Sequence, residues 1–427
     1  MKVLLASNHY GDLPGGAVAM MRTTQELLDG AGHTTIPFAL REEANHPSRS
    51  QGLFPTVGDL RRQLLPSDDT GASPYSFPAR ARLRRLLQSE RPHVAHLHNV
   101  FSKLTLSLVD ALHVARVPVV LTLHEFKSVC PNGFLFTHDG ICHRCLHGRR
   151  FWNAVRHRCV DGSPYRSAVA AAEAYLNARR GVWDKIDVFI APSEFQRDVV
   201  VAGGLPEDRI EVIPNPVRVG DDLSERSVAA PPFFVYSGRL LPQKGLDVLL
   251  DAAAALEGAA RVVVYGTGPI EGDLRRRAAR DRLPVDMRGY AGKDAIRRDL
   301  DRCVASVTPS LWYENCPMAI LEGAGRGAAS IATDLGGIPE LVEHKATGLL
   351  VPPRDAGALA AALRELADDP AWAAELGRAA WVRARSRHTP ADYLAAVVRA
   401  YERAFRRRRG SRPREPGRGR VGPRRSG

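Results

Sequence analysis

The chain has 427 residues, of which 44% are hydrophobic and 25% are charged. This composition excludes a wholly disordered chain, a collagen-like repeat and a coiled coil, and the length suits two or three domains. Because the sequence contains no run of about 18 apolar residues, we expect no membrane-spanning helix and a cytoplasmic location.

The formal net charge of +13 is concentrated at the end of the chain. Residues 406–427 hold ten arginines and one glutamate, so this Gly/Pro/Arg-rich tail carries +9 of that charge. Such a tail cannot bury a core, and we predict that it is disordered. It is suited to contact nucleic acid or anionic lipid, although a solvated end is the simpler interpretation.

Short apolar runs alternate with helical patterns along the chain. In the first half, strands are predicted at residues 3–6, 94–97, 117–123, 188–191 and 211–213, and helices at 17–28, 80–89 and 104–115. After a polar, proline-containing stretch, strands are predicted at 233–236, 261–265, 286–288, 305–308, 330–332 and 349–351, and helices at 245–256, 270–280 and 371–405.

Strands that alternate with helices of about 10 to 15 residues indicate parallel sheets built from βαβ units. We therefore predict an α/β protein with two doubly wound, Rossmann-like domains that face each other across a cleft. The predicted domains are residues 1–216, with a cysteine-rich insertion at 130–162, and residues 217–385. A closing C-terminal helix at 386–405 and the tail follow them.

Two predicted loops carry glycines that are suited to phosphate. Gly15 and Gly16 directly precede the first helix, where an anion can approach free backbone N–H groups. Gly266 and Gly268 follow a strand of the second half and form a similar loop. A plain turn is the alternative for the first pair.

Charged residues of the second half fall where strands end and helices begin. Arg239 and Lys244 open a helix, where cations oppose the helix dipole, so a bound diphosphate explains them better than a surface pair does. Glu314 precedes a helix that is predicted to have Pro317 in its first turn and to contain Glu322. The loop residue Glu314 is suited to sugar hydroxyls, and the helix residue Glu322 is suited to the two hydroxyls of a ribose. The alternative is that one acidic residue stabilises the start of the helix and the other is merely solvated.

One histidine is a further candidate because of its place in the predicted sheet. His124 ends the most apolar strand, and His96 and His98 end the preceding strand in the same way. Polar residues at the carboxyl ends of buried strands indicate a site. A neutral imidazole can position a donor group, although most lone histidines are structural.

Taken in order, these residues resemble a known family. The pattern is Ser-Gly-Arg-x4-Lys-Gly at 237–245, Glu-x7-Glu at 314–322 and Gly-Gly-Ile-Pro-Glu at 336–340. It is similar to the retaining glycosyltransferases of the GT-B fold called family 4, or glycosyl transferases group 1. The resemblance covers roughly residues 1–390 and is strongest over 233–352.

The resemblance implies that the second domain binds a nucleotide-diphosphate sugar of the UDP- or GDP-sugar type. Arg239 and Lys244 would hold the diphosphate and Glu322 the ribose. Glu314 would contact the donor sugar, and His124 would contact it near the reacting centre. Catalysis would need no metal on the diphosphate and no other cofactor. Further residues of this donor site are Gly15, Gly16, Asn215, Gly238, Gly266, Gly268, Asn315, Cys316 and Pro317.

The same resemblance implies transfer with retention to an acceptor sugar, a lipid-linked sugar or a small molecule, in polysaccharide, glycolipid or glycoside biosynthesis. The nucleotide base, the sugar and the acceptor are not identified by the sequence. The basic residues at 80–85 and in the insertion are suited to an anionic acceptor or to peripheral contact with the inner membrane surface.

Four of the six cysteines cluster, at Cys130, Cys142, Cys145 and Cys159. Four thiolates with one Cys-x2-Cys pair are suited to a structural zinc ion. Four reduced thiols or redox-active thiols are the alternative.

Two other functions stay open at this point. A nucleic-acid-binding protein would use the insertion and the basic tail, but it leaves Arg239, Lys244, Glu314 and Glu322 without a role, so nucleic acid is not the expected partner. A GT-B phosphorylase or nucleotide-sugar epimerase would keep the fold and change the reaction.

Overall fold

The computed structural model describes residues 1–11, 15–62, 72–220, 222–223, 227–256 and 258–410. Residues 411–427, which make up most of the predicted disordered tail, lie outside this part of the chain. Among the described helices, none combines the length and the apolar character that are needed to cross a bilayer.

The first half of the chain forms one parallel sheet with helices on its faces. Its strands are β1 (Lys2–Ala6), β2 (Thr34–Phe38), β3 (Val94–His98), β4 (Val119–Thr122), β7 (Val188–Ala191) and β8 (Ile210–Val212). They pair in the order β2-β1-β3-β4-β7-β8. The strands β5 (Phe136–Thr137) and β6 (Gly140–Ile141) form a separate antiparallel hairpin. The helices are α1 (Gly16–Gly30), α2 (Val57–Arg61), α3 (Phe77–Glu90), α4 (Ser107–Val114), α5 (Asn153–Arg156), α6 (Pro164–Arg179) and α7 (Glu194–Ala202).

The second half forms another parallel sheet of the same kind. Its strands are β9 (Phe233–Ser237), β10 (Arg261–Tyr265), β11 (Val285–Gly289), β12 (Ala305–Thr308), β13 (Ala329–Thr333) and β14 (Gly348–Val351). They pair in the order β11-β10-β9-β12-β13-β14. The helices are α8 (Leu246–Ala253), α9 (Glu271–Arg280), α10 (Lys293–Leu300), α11 (Met318–Gly325), α12 (Ile338–Leu341), α13 (Ala356–Asp368), α14 (Pro370–Arg387) and α15 (Pro390–Gly410).

The predicted α/β class with two doubly wound domains is confirmed. Helices cover both faces of parallel sheets, and the central strands are therefore continuous apolar runs rather than alternating ones. In β4, for example, Val119, Val120 and Leu121 are all fully buried.

Two elements differ from the prediction. The strand β2 was not predicted. It contains Pro37, which is tolerated because β2 lies at the edge of its sheet. The predicted helix at 371–405 is two helices, α14 and α15, because Pro390 cannot continue an existing helix.

The last helix, α15, packs against the first sheet and not against the second. The Tyr401 hydroxyl is 2.8 Å from His96 Nδ1, and the hydroxyls of Tyr393 and Thr24 are 2.7 Å apart. The helix α15 runs from Pro390 to Gly410. It therefore contains residues 406–410, which were predicted to belong to the disordered tail. The core of the first domain therefore includes residues from the end of the chain.

Candidate functional site

The candidate site lies in loops that follow parallel strands of both sheets. In the second domain, the loops after β9, β10 and β12 carry most of the predicted donor residues. In the first domain, His124 lies in the loop after β4, and His96 and His98 lie at the carboxyl end of β3. Because all strands of each sheet are parallel, these loops lie along the carboxyl edge of their sheet.

The centre of the site is an ion pair between two residues that are far apart in sequence. Lys244 ends a 3-10 turn, Pro242–Lys244, just before α8, and Glu314 follows β12. The Lys244 Nζ atom is 2.6 Å from Glu314 Oε1. The same ammonium lies 5.1 Å from the centroid of the Trp312 ring, within the range of a cation–π contact. The two predicted donor residues are thus in direct contact.

Glu314 is held by three donors at one oxygen. Besides Lys244, the Ser310 hydroxyl donates to Oε1 at 2.7 Å and the Trp312 indole N–H at 2.8 Å. Burial would raise the pKa of Glu314, but the charge of Lys244 and the three hydrogen bonds lower it below its ordinary value. Glu314 is therefore a buried, preorganised carboxylate.

Arg239 lies near the start of the same loop but is placed differently from Lys244. Its side chain is exposed, and within the described ranges its guanidinium has no ion-pair or hydrogen-bond partner. The backbone carbonyl of Arg239 accepts a hydrogen bond of 3.0 Å from the Tyr236 hydroxyl, which anchors the loop. The guanidinium is therefore available to an anion.

The packing of the backbone requires glycine at positions 266 and 268, for a reason that the sequence did not show. A Cβ atom on Gly266 would lie 1.8 Å from the carbonyl oxygen of Gly238, and one on Gly268 would lie 2.1 Å from that of Leu240. The loops after β9 and β10 therefore pack backbone against backbone. These two glycines shape the loop that carries Arg239, whether or not they also approach a phosphate.

The loop between β12 and α11, residues 309–317, is called the donor loop. Its residue Asn315 connects it to the first domain. Its side-chain amide donates a 3.0 Å hydrogen bond to the backbone carbonyl of His124. Its side-chain oxygen is buried and has no hydrogen-bond partner among the described residues. His124 therefore lies beside the loop that contains Glu314.

His124 is half-buried and is grouped with two buried histidines, His96 and His98. His124 Nε2 is 3.0 Å from His98 Nδ1, and the two rings are stacked with centroids 5.3 Å apart. Burial lowers the pKa of His124 to about 4 and that of His96 to about 3. The group is therefore neutral near pH 7, so His124 can offer hydrogen bonds without bringing a charge.

Two other predicted residues lie in or before α11. Pro317 is the cap residue that directly precedes α11, one position before the first turn, and Glu322 lies inside the helix. Burial raises the pKa of Glu322, while Lys293 and Arg297 of α10 oppose that effect.

Asn215 and Cys316 have their polar groups engaged by the protein. The Asn215 side-chain amide donates to the Cys316 carbonyl at 3.3 Å, and the Asn215 carbonyl is 3.0 Å from His388 Nδ1. Burial raises the pKa of the Cys316 thiol to about 12. These hydrogen bonds stabilise the connection between the domains. Asn215 therefore has a structural role in addition to the predicted contact with the donor.

Gly15 and Gly16 lie at the open start of α1. In the described part of the chain, a Cβ atom on either glycine would meet no heavy atom within 4 Å. The helix begins at Gly16 without a side-chain cap and without an acidic residue in its first turn. Among the described residues no packing constraint explains Gly16, which is exposed, and the first N–H groups of a helix are suited to bind an anion.

Sequence reasoning missed several residues of the site. Glu340 of α12 accepts hydrogen bonds from the backbone N–H groups of Glu194 at 2.9 Å and Phe195 at 2.7 Å, so a carboxylate of the second domain caps α7 of the first. Glu340 was part of the quoted pattern, but no local signal indicated its partner. Glu125 directly follows His124, and burial raises its pKa to about 7.

The four clustered cysteines line one small cavity. None of them forms a disulfide. Burial raises the pKa of Cys145 to about 12, and the neighbouring thiols add to this effect. As the side chains stand, no group of three or more Cys, His, Asp or Glu residues in the described ranges is arranged to hold a metal ion.

Two doubly wound domains with candidate residues on the loops of both are the architecture of the GT-B fold, and comparison with known families shows which enzymes the chain belongs to. Residues 14–220 match the model of Glycosyltransferase Family 4. Residues 231–369 match the model of Glycosyl transferases group 1. The chain belongs to these GT-B glycosyltransferases.

Curated relatives include enzymes of polysaccharide synthesis. The chain is 27% identical to a glycogen synthase of Mycobacterium tuberculosis over 452 aligned positions, which cover 97% of this chain and 98% of the relative. It is 30% identical to the amylovoran biosynthesis glycosyltransferase AmsK of Erwinia amylovora, over 42% of this chain and 47% of the relative.

Solved structures show the same fold at low sequence identity. A crystal structure of HepE from Anabaena in complex with UDP and glucose has a TM-score of 0.67 at 18% identity, covering 94% of this chain and 99% of the other. A crystal structure of S. aureus TarM that contains UDP has a TM-score of 0.69 at 12% identity, covering 94% and 99%.

Proposed function

We propose that this chain transfers a sugar from a nucleotide-diphosphate sugar to an acceptor hydroxyl, with retention of configuration at the anomeric carbon. The observation that carries the proposal is the Lys244–Glu314 pair, whose charged atoms are 2.6 Å apart. The same loop after β9 carries Arg239, which is exposed and whose guanidinium has no partner among the described residues. One site thus combines cations for a diphosphate with a carboxylate for sugar hydroxyls.

Each predicted residue then has a chemical role. Arg239 and Lys244 stabilise the negative charge that develops on the departing diphosphate, which is where preorganised donors contribute most to rate. Glu314 and the neutral His124 hydrogen-bond the donor sugar, and Glu322 accepts the ribose hydroxyls. Contacts to the donor from the remaining predicted residues, Gly15, Gly16, Asn215, Gly238, Gly266, Gly268, Asn315, Cys316 and Pro317, are part of the same proposal.

The donor is tested first with UDP-sugars, because the similar structures of HepE contain UDP or UDP-glucose. GDP-sugars follow as the second set. Acceptors are chosen from glucans, lipid-linked sugars and small glycosides, since the relatives include a glycogen synthase and an amylovoran biosynthesis glycosyltransferase.

Calorimetry with the full chain tests the donor site. We expect Arg239→Ala to weaken donor binding by about tenfold or more, because a hydrogen bond to a charged group contributes about 1.5–3 kcal/mol. Arg364→Ala is the matched control, since Arg364 is an exposed arginine on α13. If no UDP- or GDP-sugar binds, or if both variants bind the donor equally well, the assigned site is wrong.

Product analysis by NMR separates the reaction types. A retaining transferase gives an α-linked product from an α-linked donor, and an inverting transferase gives the β-linked product. An epimerase would change the donor without an acceptor, and a phosphorylase would release a sugar phosphate. Either of the last two outcomes would replace the proposed reaction.

A further inference from the structure

The cysteine-rich insertion brings four thiols together from separate turns. Cys130 lies before the β5–β6 hairpin, Cys142 and Cys145 follow the hairpin, and Cys159 follows α5. All four line one cavity of about 10 Å³, which is about the space that a single water-sized sphere needs. Four soft ligands around a space of atomic size are the donor set of a closed tetrahedral zinc site.

The charges around this cavity favour an anionic centre. Between Cys142 and Cys159 the chain contains five arginines and no acidic residue. One of them, Arg144, has Nη1 at 3.6 Å from Cys142 Sγ. A zinc ion with four thiolates carries a net charge of −2, so the Arg144 guanidinium, which lines the cavity and also pairs with Asp139 at 3.6 Å, stabilises it.

Two residues beside these cysteines contact the donor loop of the second domain. His143, inside the Cys-x2-Cys pair, stacks on Tyr313 with ring centroids 5.7 Å apart and ring planes 10° apart. Phe134, on the first turn of the insertion, contacts Trp312 with centroids 5.0 Å apart. Trp312 in turn donates to Glu314 Oε1. The insertion therefore reaches the residues that hold the Glu314 carboxylate.

We propose that residues 130–162 form a structural zinc site whose metal ion holds His143 and Phe134 against the donor loop. At present the Cys130 thiol is 2.9 Å from Asn132 Oδ1, and no three candidate ligands of the described chain surround one ion position. Zinc binding thus requires the thiols of the four cysteines that line the cavity to turn towards one common ion position.

The zinc content of the purified full-length chain tests the metal site. We expect one zinc ion per chain by mass spectrometry, its retention in Cys303→Ser, and its loss in the double variant Cys142→Ser/Cys145→Ser. Cys303 is a buried cysteine outside the insertion and is therefore the matched control. Zinc retained in the double variant overturns the proposal.

A second measurement on the wild-type chain covers the case in which the double variant does not fold. Titration of its thiols with an organomercurial in the presence of a zinc-sensitive dye should release one equivalent of zinc. A chain that holds no zinc and takes up none when it is added under reducing conditions overturns the proposal. Disulfides among these four cysteines, seen by mass after alkylation, also overturn it.

Hydrogen exchange tests the coupling to the donor loop. Removal of zinc by a chelator should increase exchange in a peptide over 310–316 and leave a peptide over 261–265 unchanged. His143→Ala should keep one zinc ion and show the same local increase. Unchanged exchange in both cases refutes the coupling. Neither measurement uses a nucleotide sugar, so its failure is distinct from failure of the proposed transferase function.

Discussion

Replacement of Lys244 by methionine tests the ion pair at the centre of the site. The change removes the ammonium 2.6 Å from Glu314 Oε1 and leaves a carboxylate that is 8% exposed. Two neutral donors, Ser310 and Trp312, remain. Removal of one partner from a buried ion pair costs about 3–5 kcal/mol. Because these two donors stay, we expect a loss of about 3 kcal/mol in the free energy of unfolding.

The loss has a definite dependence on pH. In the folded chain, burial raises the pKa of Glu314, but Lys244 and the hydrogen bonds lower it to a net value below the ordinary one. The contribution is therefore fully present above the pKa of an unfolded glutamate, about 4.3, and is lost as the pH falls through the lower folded value. In the variant, burial without the ammonium raises the pKa, so protonation relieves the buried charge. The difference between the two proteins should therefore shrink as the pH falls from the raised pKa of the variant towards the lowered pKa of the wild type, and it should be smaller near pH 4 than at pH 7.

Urea unfolding at pH 7 and near pH 4, followed by circular dichroism, measures this difference. A double-mutant cycle with Glu314→Gln should give a coupling energy of about 1–3 kcal/mol. Arg239→Gln is the control, since its exposed side chain should change stability by less than about 0.5 kcal/mol. Strictly additive losses for Lys244 and Glu314, or equal losses at both pH values, would refute the reasoning.

Three further predictions concern loops and buried groups. Gly266→Ala should lower the free energy of unfolding by more than about 2 kcal/mol, since its Cβ would lie 1.8 Å from a backbone oxygen. Gly16→Ala, measured by the same urea titration, should not lower it, and equal losses would contradict the packing argument. Glu340→Gln should cost about 1 kcal/mol through the weakened helix cap between the domains, and an unchanged unfolding midpoint would contradict this. Burial lowers the pKa of His124 to about 4 and of His96 to about 3. Stability should therefore fall below about pH 6.5, by about 2 kcal/mol per histidine at pH 5, and a flat profile between pH 7 and pH 5 would contradict it.

Local sequence was sufficient for the fold class and for the position of most candidate residues. Buried parallel strands are short apolar runs, so β10 and β12 were predicted with the bounds that the structure shows. The loops after such strands lie on one edge of the sheet, which is why Arg239 and His124 were identified as candidates. The edge strand β2 was missed, and its Pro37 weakens the local strand pattern.

Only the tertiary structure decided which of these groups meet. Lys244 and Glu314 are 70 residues apart, and Asn315 donates to a carbonyl 191 residues away. The hydroxyl of Tyr401 completes the hydrogen bonding of His96 across 305 residues. A periodic pattern reports which face of an element is buried, but not which distant side chain it meets. That choice depends on how the two sheets and the returning helix pack, and therefore on contacts that are far apart along the chain.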